Sequence, residues 1–215
     1  MLTPTRCAAD VARDLAALVA QDPRLVPVAE RTGPLPLRLA EPGLFGLLRI
    51  VSGQQLSTQS ALAVWTRFAA TFDETPATIL AAREEALRAV GLSRQKVATF
   101  RAVAAAVEEG LDLCAMARLP AEEGRRALTA LPGVGRWTAD VYLMFCGGHP
   151  DILPSGDLAV RKGLGFALNL SEAPTMKAVD ELGERWSPYR STAARLFWAN
   201  YRVVGQKKAG EGLPP

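Results

Sequence analysis

Cysteine is scarce in this sequence, with only three residues at the widely separated positions Cys7, Cys114 and Cys146. Three unclustered cysteines provide neither a disulfide framework nor the four thiolates that hold an iron–sulfur cluster. We therefore expect no iron–sulfur cluster and no required cofactor in this protein.

Long hydrophobic runs are also missing. The longest apolar stretches, such as residues 44–48, are far too short to span a bilayer, and the N-terminus mixes arginine and aspartate with its alanines. Hydrophobic residues make up 49% and charged residues 22% of the 215 residues, a balance typical of a globular protein of one domain or two lobes. The sequence therefore predicts a cytoplasmic protein with no membrane partner. The formal net charge of +3 permits binding to nucleic acid without requiring it.

Strand patterns are absent as well. Valine, isoleucine and threonine never alternate over a convincing strand, whereas alanine, leucine, arginine and glutamate recur with helical spacing. The sequence therefore predicts an all-α fold of about ten short helices. The predicted helices cover residues 8–19, 44–72 with a break at 52–55, 76–89, 96–108, 121–129, 136–145, 158–168, 176–186 and 189–201. A proline-rich connector occupies residues 23–42, and the tail over 205–215 is expected to be flexible.

The most specific local signal is the string Leu-Pro-Gly-Val-Gly at 131–135, between two predicted helices. Gly133 and Gly135 let the backbone turn sharply and approach another surface closely. The helix that begins at Gly135 or Arg136 points its free N–H groups and the positive end of its dipole outward, which suits an anion such as a DNA phosphate. A Gly-x-Gly pair alone is more typical of a plain helix–helix turn, so this interpretation depends on the whole string.

Asp157 follows Gly135 by twenty-two residues and comes directly after a Pro-Ser-Gly turn at 154–156. The local sequence favours Asp157 as the N-cap of the next helix, because a side-chain oxygen there accepts hydrogen bonds from free N–H groups. A catalytic carboxylate is the alternative, and the two roles are compatible. Asp151, the nearest rival carboxylate, lies in a loop where we expect it to be solvated.

Together, the hairpin string and the downstream aspartate resemble the helix-hairpin-helix DNA glycosylases, in which a catalytic aspartate opens a helix after the hairpin. Three further segments, at 50–57, 91–96 and 186–191, together with Trp198, resemble the bacterial 3-methyladenine DNA glycosylase II branch of that superfamily. The resemblance implies a single domain over residues 1–215, with two helical lobes, an active-site cleft between them and a hairpin motif at about 125–146. It also implies that the extra N-terminal sheet domain of larger members is missing.

The resemblance implies a catalytic role for Asp157. Breaking an N-glycosidic bond leaves positive charge on the sugar, and a fixed carboxylate stabilises that charge and orients or deprotonates the attacking water. Bifunctional relatives instead place a lysine that forms a Schiff base on the helix after the hairpin, at or near position 137. This chain has Trp137 there and no lysine between Gly135 and Lys162. It therefore resembles a monofunctional enzyme that uses water and leaves an abasic site.

The resemblance also implies a base pocket. Alkylated purines such as N3-methyladenine and N7-methylguanine are cationic and suit stacking on aromatic faces. The expected pocket walls are Trp137 and Trp198, with Tyr142 beside position 141, where relatives often carry an aromatic residue. Trp65 and Trp186 are expected in the core instead.

DNA contacts are implied at several positions. Gln55 is expected to wedge into the duplex where the flipped base was, with Gln54 beside it, although paired glutamines are equally typical of a solvated helix end. The other implied DNA contacts are Gly133, Val134, Gly135, Arg136, Arg161 and Lys162. In relatives the hairpin carbonyls hold Na⁺ or K⁺, and the corresponding carbonyls here are those of Thr129, Leu131 and Val134.

Two other functions stay open at the level of sequence. A non-catalytic helix-hairpin-helix module would bind DNA in a salt-dependent way without releasing a base. A glycosylase for an oxidised, deaminated or mismatched base would share the same motifs, because motifs do not define the shape of a pocket. In each case the expected partner is double-stranded DNA, bound by a monomer.

Overall fold

The computed structural model describes residues 3–210, with side chains through residue 205. In this range the chain forms thirteen α-helices, two short 3₁₀ segments and no strand, so the all-α prediction is confirmed. The helices are α1 (Ala8–Gln21), α2 (Val26–Thr32), α3 (Leu44–Gly53), α4 (Thr58–Thr71), α5 (Pro76–Ala81), α6 (Glu84–Ala89), α7 (Arg94–Glu108), α8 (Leu113–Met116), α9 (Ala121–Thr129), α10 (Arg136–Phe145), α11 (Leu158–Ala167), α12 (Met176–Gly183) and α13 (Arg190–Gly210). The 3₁₀ segments are Pro23–Leu25 and Glu184–Trp186.

Several element boundaries differ from the sequence prediction. The predicted helix 76–89 is two helices, because Ala82 and Arg83 both have extended backbone. The predicted connector 23–42 contains α2, which takes a proline in its first turn, where a missing N–H leaves no bond unmade. Helix α13 continues to Gly210 and so includes the first part of the tail expected to be flexible, while residues 211–215 lie outside the described residues.

One compact unit comprises the described residues of 1–39 and 148–215, and within it α11 packs along α13. Gly163 makes this close approach possible, since a Cβ atom there would lie 2.0 Å from the carbonyl oxygen of Phe197. The Nδ2 group of buried Asn200 donates to the Gly163 carbonyl at 2.8 Å and ties the two helices together. Buried Trp186 and Phe197 form the aromatic part of this core. The packing brings the first residue before α11 toward the middle of α13.

The second compact unit comprises residues 40–147 and contains α3 to α10. Helix α3 packs against α4, α7 and α10, and α9 packs against α10. Its core is apolar, with fully buried Leu47, Phe68 and Phe100. Gly124 on α9 faces Leu143 on α10 so closely that a Cβ atom would lie 2.7 Å from its Cδ2 atom. The two helices that flank the predicted hairpin are therefore packed directly on each other.

No helix within residues 3–210 is long and apolar enough to cross a membrane.

Candidate functional site

Asp157 is the N-cap of α11, as its local sequence predicts. Its Oδ1 atom accepts hydrogen bonds from the backbone N–H groups of Ala159 at 2.9 Å and Val160 at 3.0 Å. These are two of the free donors at the start of the helix, and their dipoles favour a negative charge at this position. The capping role therefore holds the carboxylate at one end of a well-packed helix.

Trp198 supplies a third donor to the same oxygen. Its indole Nε1–H group donates to Asp157 Oδ1 at 3.0 Å from the middle of α13. The contact depends on the close packing of α11 on α13 and joins residues 41 positions apart. Trp198 thus helps to fix the orientation of the carboxylate, a role that the sequence did not indicate, while its place in a pocket wall stays a prediction.

The rival carboxylate Asp151 is not solvated, contrary to the sequence-based expectation. It is buried, and it accepts hydrogen bonds from Arg190 Nε at 2.7 Å, Arg190 Nη2 at 2.9 Å and Ser187 Oγ at 2.8 Å. Burial by itself raises the pKa of Asp151, but the hydrogen bonds from Arg190 and Ser187 outweigh it, so the pKa is lowered. Asp151 is therefore the centre of a structural ion pair.

The predicted hairpin forms a tight turn between α9 and α10. Gly133 lies at its tip with φ +77°, in the left-handed region that favours glycine, and a Cβ atom there would lie 1.8 Å from Thr99 Oγ1. Gly135 is the N-cap of α10. A Cβ atom on Gly135 would have no described atom within 4 Å, so nothing in the described protein itself requires glycine there. That space lies at the N-terminus of α10, which is the positive end of the helix dipole.

A buried carboxylate that sequence analysis missed connects the two hairpin helices. Asp140 on α10 is fully buried, and its Oδ1 atom accepts a hydrogen bond from Arg125 Nε on α9 at 2.8 Å. Its Oδ2 atom lies 3.7 Å from Arg136 Nε, one helical turn earlier. The spacing of Arg136 and Asp140 by four residues is the signal that could have identified this pair. Arg125, Arg126 and Arg136 line a depression beside the hairpin together with Glu122, which forms an ion pair with Arg125.

The segment between α3 and α4, here named the glutamine turn (residues 54–57), is attached to the hairpin. Gln54 Nε2 donates to Thr138 Oγ1 at 2.8 Å and to the Gly133 carbonyl at 3.3 Å. The side-chain amide of Gln54 therefore holds the turn against the hairpin, and the DNA contact expected of Gln54 stays a prediction. Gln55 is exposed and has φ +58°. Leu56, which sequence analysis did not single out, is 41% exposed beside it.

Tyr142 is not a pocket wall, contrary to prediction. It is fully buried, its hydroxyl donates to the Leu113 carbonyl at 3.0 Å, and it accepts from the Gly43 N–H at 2.7 Å. Position 142 is five residues after Trp137, so the two side chains point about 140° apart around the helix axis. Tyr142 therefore packs in the core and ties the N-cap of α3 and the first residue of α8 to α10.

The other predicted site residues occupy these places. Trp137 is half-buried in the first turn of α10, and Lys162 is half-buried on α11. Arg161 Nε donates to the Pro174 carbonyl at 2.7 Å, which anchors this side chain to the loop before α12. Trp186 is fully buried, as expected, and Trp65 stacks on Phe68 with ring centroids 5.2 Å apart.

The three hairpin carbonyls expected to hold a monovalent cation are those of Thr129, Leu131 and Val134. Leu131 and Val134 close the turn through a hydrogen bond from Val134 N to the Leu131 carbonyl at 3.1 Å, and Thr129 is the last residue of α9. A carbonyl oxygen has two lone pairs, so that of Leu131 retains acceptor capacity. Neutral carbonyl ligands suit a hard cation such as Na⁺ or K⁺, so the donor set fits.

Comparison with known proteins identifies relatives over most of the chain. The protein-family model described as "HhH-GPD superfamily base excision DNA repair protein" matches residues 48–188. DNA-3-methyladenine glycosylase 1 of Schizosaccharomyces pombe is 32% identical over 168 residues, which cover 75% of this chain and 74% of the relative.

Solved structures agree with this match. The 3-methyladenine DNA glycosylase of S. pombe, solved with abasic DNA, superposes with a TM-score of 0.81 at 29% identity, covering 86% of this chain and 95% of that one. A DNA-3-methyladenine glycosidase from Bacillus halodurans gives a TM-score of 0.78 at 29% identity, covering 90% and 91% of the two chains. The resemblance inferred from the motifs is confirmed.

Proposed function

Because this chain belongs to the HhH-GPD superfamily of base excision DNA repair proteins, we propose that it is a monofunctional DNA glycosylase that releases alkylated purines from double-stranded DNA. The observation that carries the proposal is the environment of Asp157. Three N–H donors, from Ala159, Val160 and Trp198, converge on one of its oxygens.

The fixed carboxylate suits hydrolysis of an N-glycosidic bond. As the bond to the base breaks, positive charge develops on the sugar, and a carboxylate held in place stabilises that charge without reorganising. Asp157 also accepts or orients a proton of the water that attacks the sugar. Trp137 stands where bifunctional relatives carry their lysine, so water rather than an amine is the nucleophile and the product is an abasic site.

The hairpin suits a DNA phosphate. The open space at Gly135, the positive end of the α10 dipole and the guanidinium of Arg136 favour an anion at one place. Asp140 supports this arrangement because it holds Arg136 and Arg125 from the buried side. A monovalent cation on the carbonyls of the hairpin would add positive charge toward the same phosphate.

The glutamine turn suits the space left by a flipped base. Gln55 presents an amide and Leu56 an exposed apolar side chain, and apolar wedges inserted between base steps unstack them. Gln54 holds the turn against the hairpin, so the proposed wedge and the proposed phosphate site are joined by hydrogen bonds within the second unit. A damaged base is extruded most easily, because its pairing is already weak.

Alkylated purines are the substrate class that this chemistry favours. Their positive charge weakens the glycosidic bond, so release requires little acid catalysis, and it favours stacking on Trp137. This specificity, the monomeric state, the location with the DNA in the cytoplasm and a cleft between the lobes stay predictions.

A panel of duplexes that each carry one lesion tests the proposal. Release from N3-methyladenine or N7-methylguanine duplexes, detected as strand cleavage only after alkali, is the expected result. Cleavage without alkali would identify a bifunctional enzyme instead. Preferential release of an oxidised or mismatched base would show that the enzyme acts on another class of lesion. Binding without release from any duplex would show that the protein is a DNA-binding module without catalytic activity.

A further inference from the structure

Lys96 makes two contacts that the proposed chemistry does not use. Its ammonium donates to the backbone carbonyl of Ser52 at 2.8 Å and to that of Gln54 at 2.8 Å. Both carbonyls lie at the end of α3, where the last C=O groups have no partner within the helix. A cation at a helix C-terminus also interacts favourably with the helix dipole. Lys96 thus caps α3 from a separate helix.

The first two turns of α7 contact both elements that the proposal assigns to DNA. Lys96 holds the start of the glutamine turn, and Thr99, three residues later, contacts the tip of the hairpin at Gly133. Gln54 then joins the turn directly to the hairpin through Thr138 and Gly133. The turn, the hairpin and α7 form a closed set of contacts within one unit.

The backbone conformation of Gln55 indicates why the turn needs these contacts. A residue other than glycine with φ near +58° occupies a sparsely populated region and persists only when its surroundings define it. Gln55 is exposed, so its neighbours in the chain hold it through their backbone. The Gln54 carbonyl, which belongs to the peptide immediately before Gln55, is one of the two groups that Lys96 binds.

We propose that Lys96 is a positioning residue for base flipping, because it fixes the backbone that presents Gln55 and Leu56 to the duplex. This inference rests on the proposed glycosylase function. Burial lowers the pKa of the Lys96 ammonium, because partial removal from solvent disfavours the charged form. The competing explanation is that Lys96 contacts a DNA phosphate directly.

Lys96→Met tests the proposal, since methionine keeps much of the aliphatic stem and removes the charge and the donors. Lys96→Arg keeps the charge and several donors. Lys177→Met is the matched control, because Lys177 is an exposed lysine on α12 in the other unit, 3.8 Å from Glu181. Each variant is assayed in single turnover on the same lesion, placed either opposite its normal partner or opposite an abasic analogue.

The expected result is a fall of about tenfold in release from the paired lesion for Lys96→Met, with partial recovery in Lys96→Arg and none of this loss in Lys177→Met. Release from the unpaired lesion should fall by about twofold or less, since little flipping energy is needed there. Equal losses on both substrates would overturn the positioning role. A salt dependence of DNA binding reduced by about one phosphate contact would assign Lys96 to a phosphate instead.

Hydrogen–deuterium exchange of the free protein separates this inference from the proposed function. Amides of the glutamine turn should exchange faster in Lys96→Met than in the wild type or in Lys177→Met. If the wild type released no base from any lesion, this measurement would still test whether Lys96 holds the backbone of the glutamine turn in place. Unchanged exchange in the turn would contradict it.

Discussion

The indole N–H of Trp198 and the carboxylate of Asp157 form a 3.0 Å hydrogen bond that joins α13 to the start of α11. Two backbone N–H groups bind the same Asp157 oxygen, so the tryptophan completes a set of three donors. The pair explains how a helix-capping aspartate acquires the fixed orientation that electrostatic catalysis requires.

Trp198→Phe should lower the rate of base release by about tenfold, because it removes a hydrogen bond to a charged acceptor while keeping an aromatic ring. DNA affinity should be close to that of the wild type. Single-turnover release and equilibrium binding measure the two effects separately.

Trp186→Phe is the matched control for that variant. Trp186 is also a tryptophan of the first unit, and its Nε1–H group donates to the buried carboxylate of Asp22 at 2.9 Å. Replacing Trp186 by phenylalanine removes this hydrogen bond and should lower the free energy of unfolding by about 2 kcal/mol. The rate of base release by the folded protein should not change. A slower release in Trp186→Phe than in Trp198→Phe would argue against a specific role of the Trp198 bond.

Two alanine substitutions in the hairpin should have different consequences. Gly133→Ala should destabilise the protein by about 2 kcal/mol or more, since it combines positive φ with a clash against Thr99. Gly135→Ala should change stability by less than about 1 kcal/mol but weaken DNA binding by about tenfold, because its Cβ atom would occupy the space for a phosphate. Urea denaturation and binding titrations distinguish the variants. If Gly135→Ala bound DNA with wild-type affinity, a phosphate site at Gly135 would be excluded.

Gln55→Gly should stabilise the free protein and impair the enzyme. Glycine adopts φ +58° without steric strain, so the free energy of unfolding should rise by about 1 kcal/mol or less. Release from a paired lesion should nevertheless fall, because the side chain that fills the duplex is lost. Chemical denaturation tests the change in stability, and single-turnover assays on the same preparation test the change in release. Undiminished release from the paired lesion would exclude Gln55 as the wedge.

Acid should lower the free energy of unfolding by protonating Asp22, which lies in the first unit. The hydrogen bond from Arg24 lowers the pKa of Asp22 from 3.8 to about 2, against an opposing effect of burial and with a further contribution from Trp186. Because the folded-state pKa is depressed, this stabilisation is complete above about pH 4 and is lost as the pH falls toward 2. Asp22→Asn should flatten this part of the stability profile, measured by urea denaturation at successive pH values. An unchanged profile would contradict the assignment.

The hairpin and its helices were predictable because strong local signals mark them. Pro120 precedes α9, the glycine string follows it, and the structure has both helices at the predicted bounds. The break at residues 82–83 has no proline or glycine, and the predicted single helix was wrong there. Tyr142 was misassigned although its spacing from Trp137 along α10 places the two side chains on different faces of the helix, about 140° apart.

Contacts between distant parts of the chain were not predictable. The Trp198–Asp157 bond depends on how α11 packs on α13, and the caps that Lys96 supplies depend on how α7 packs on α3. Motifs identified each of these residues, yet their roles follow from tertiary packing, which a single sequence does not specify.

The most direct test of the account is base release by Asp157→Asn. Asparagine is as good an N-cap as aspartate, so α11 and its hydrogen bonds should persist while the negative charge is lost. We expect wild-type folding and DNA affinity, with release of N3-methyladenine from a duplex slowed by about a hundredfold or more. Release at the wild-type rate would contradict a catalytic role for Asp157 and leave it as a helix cap.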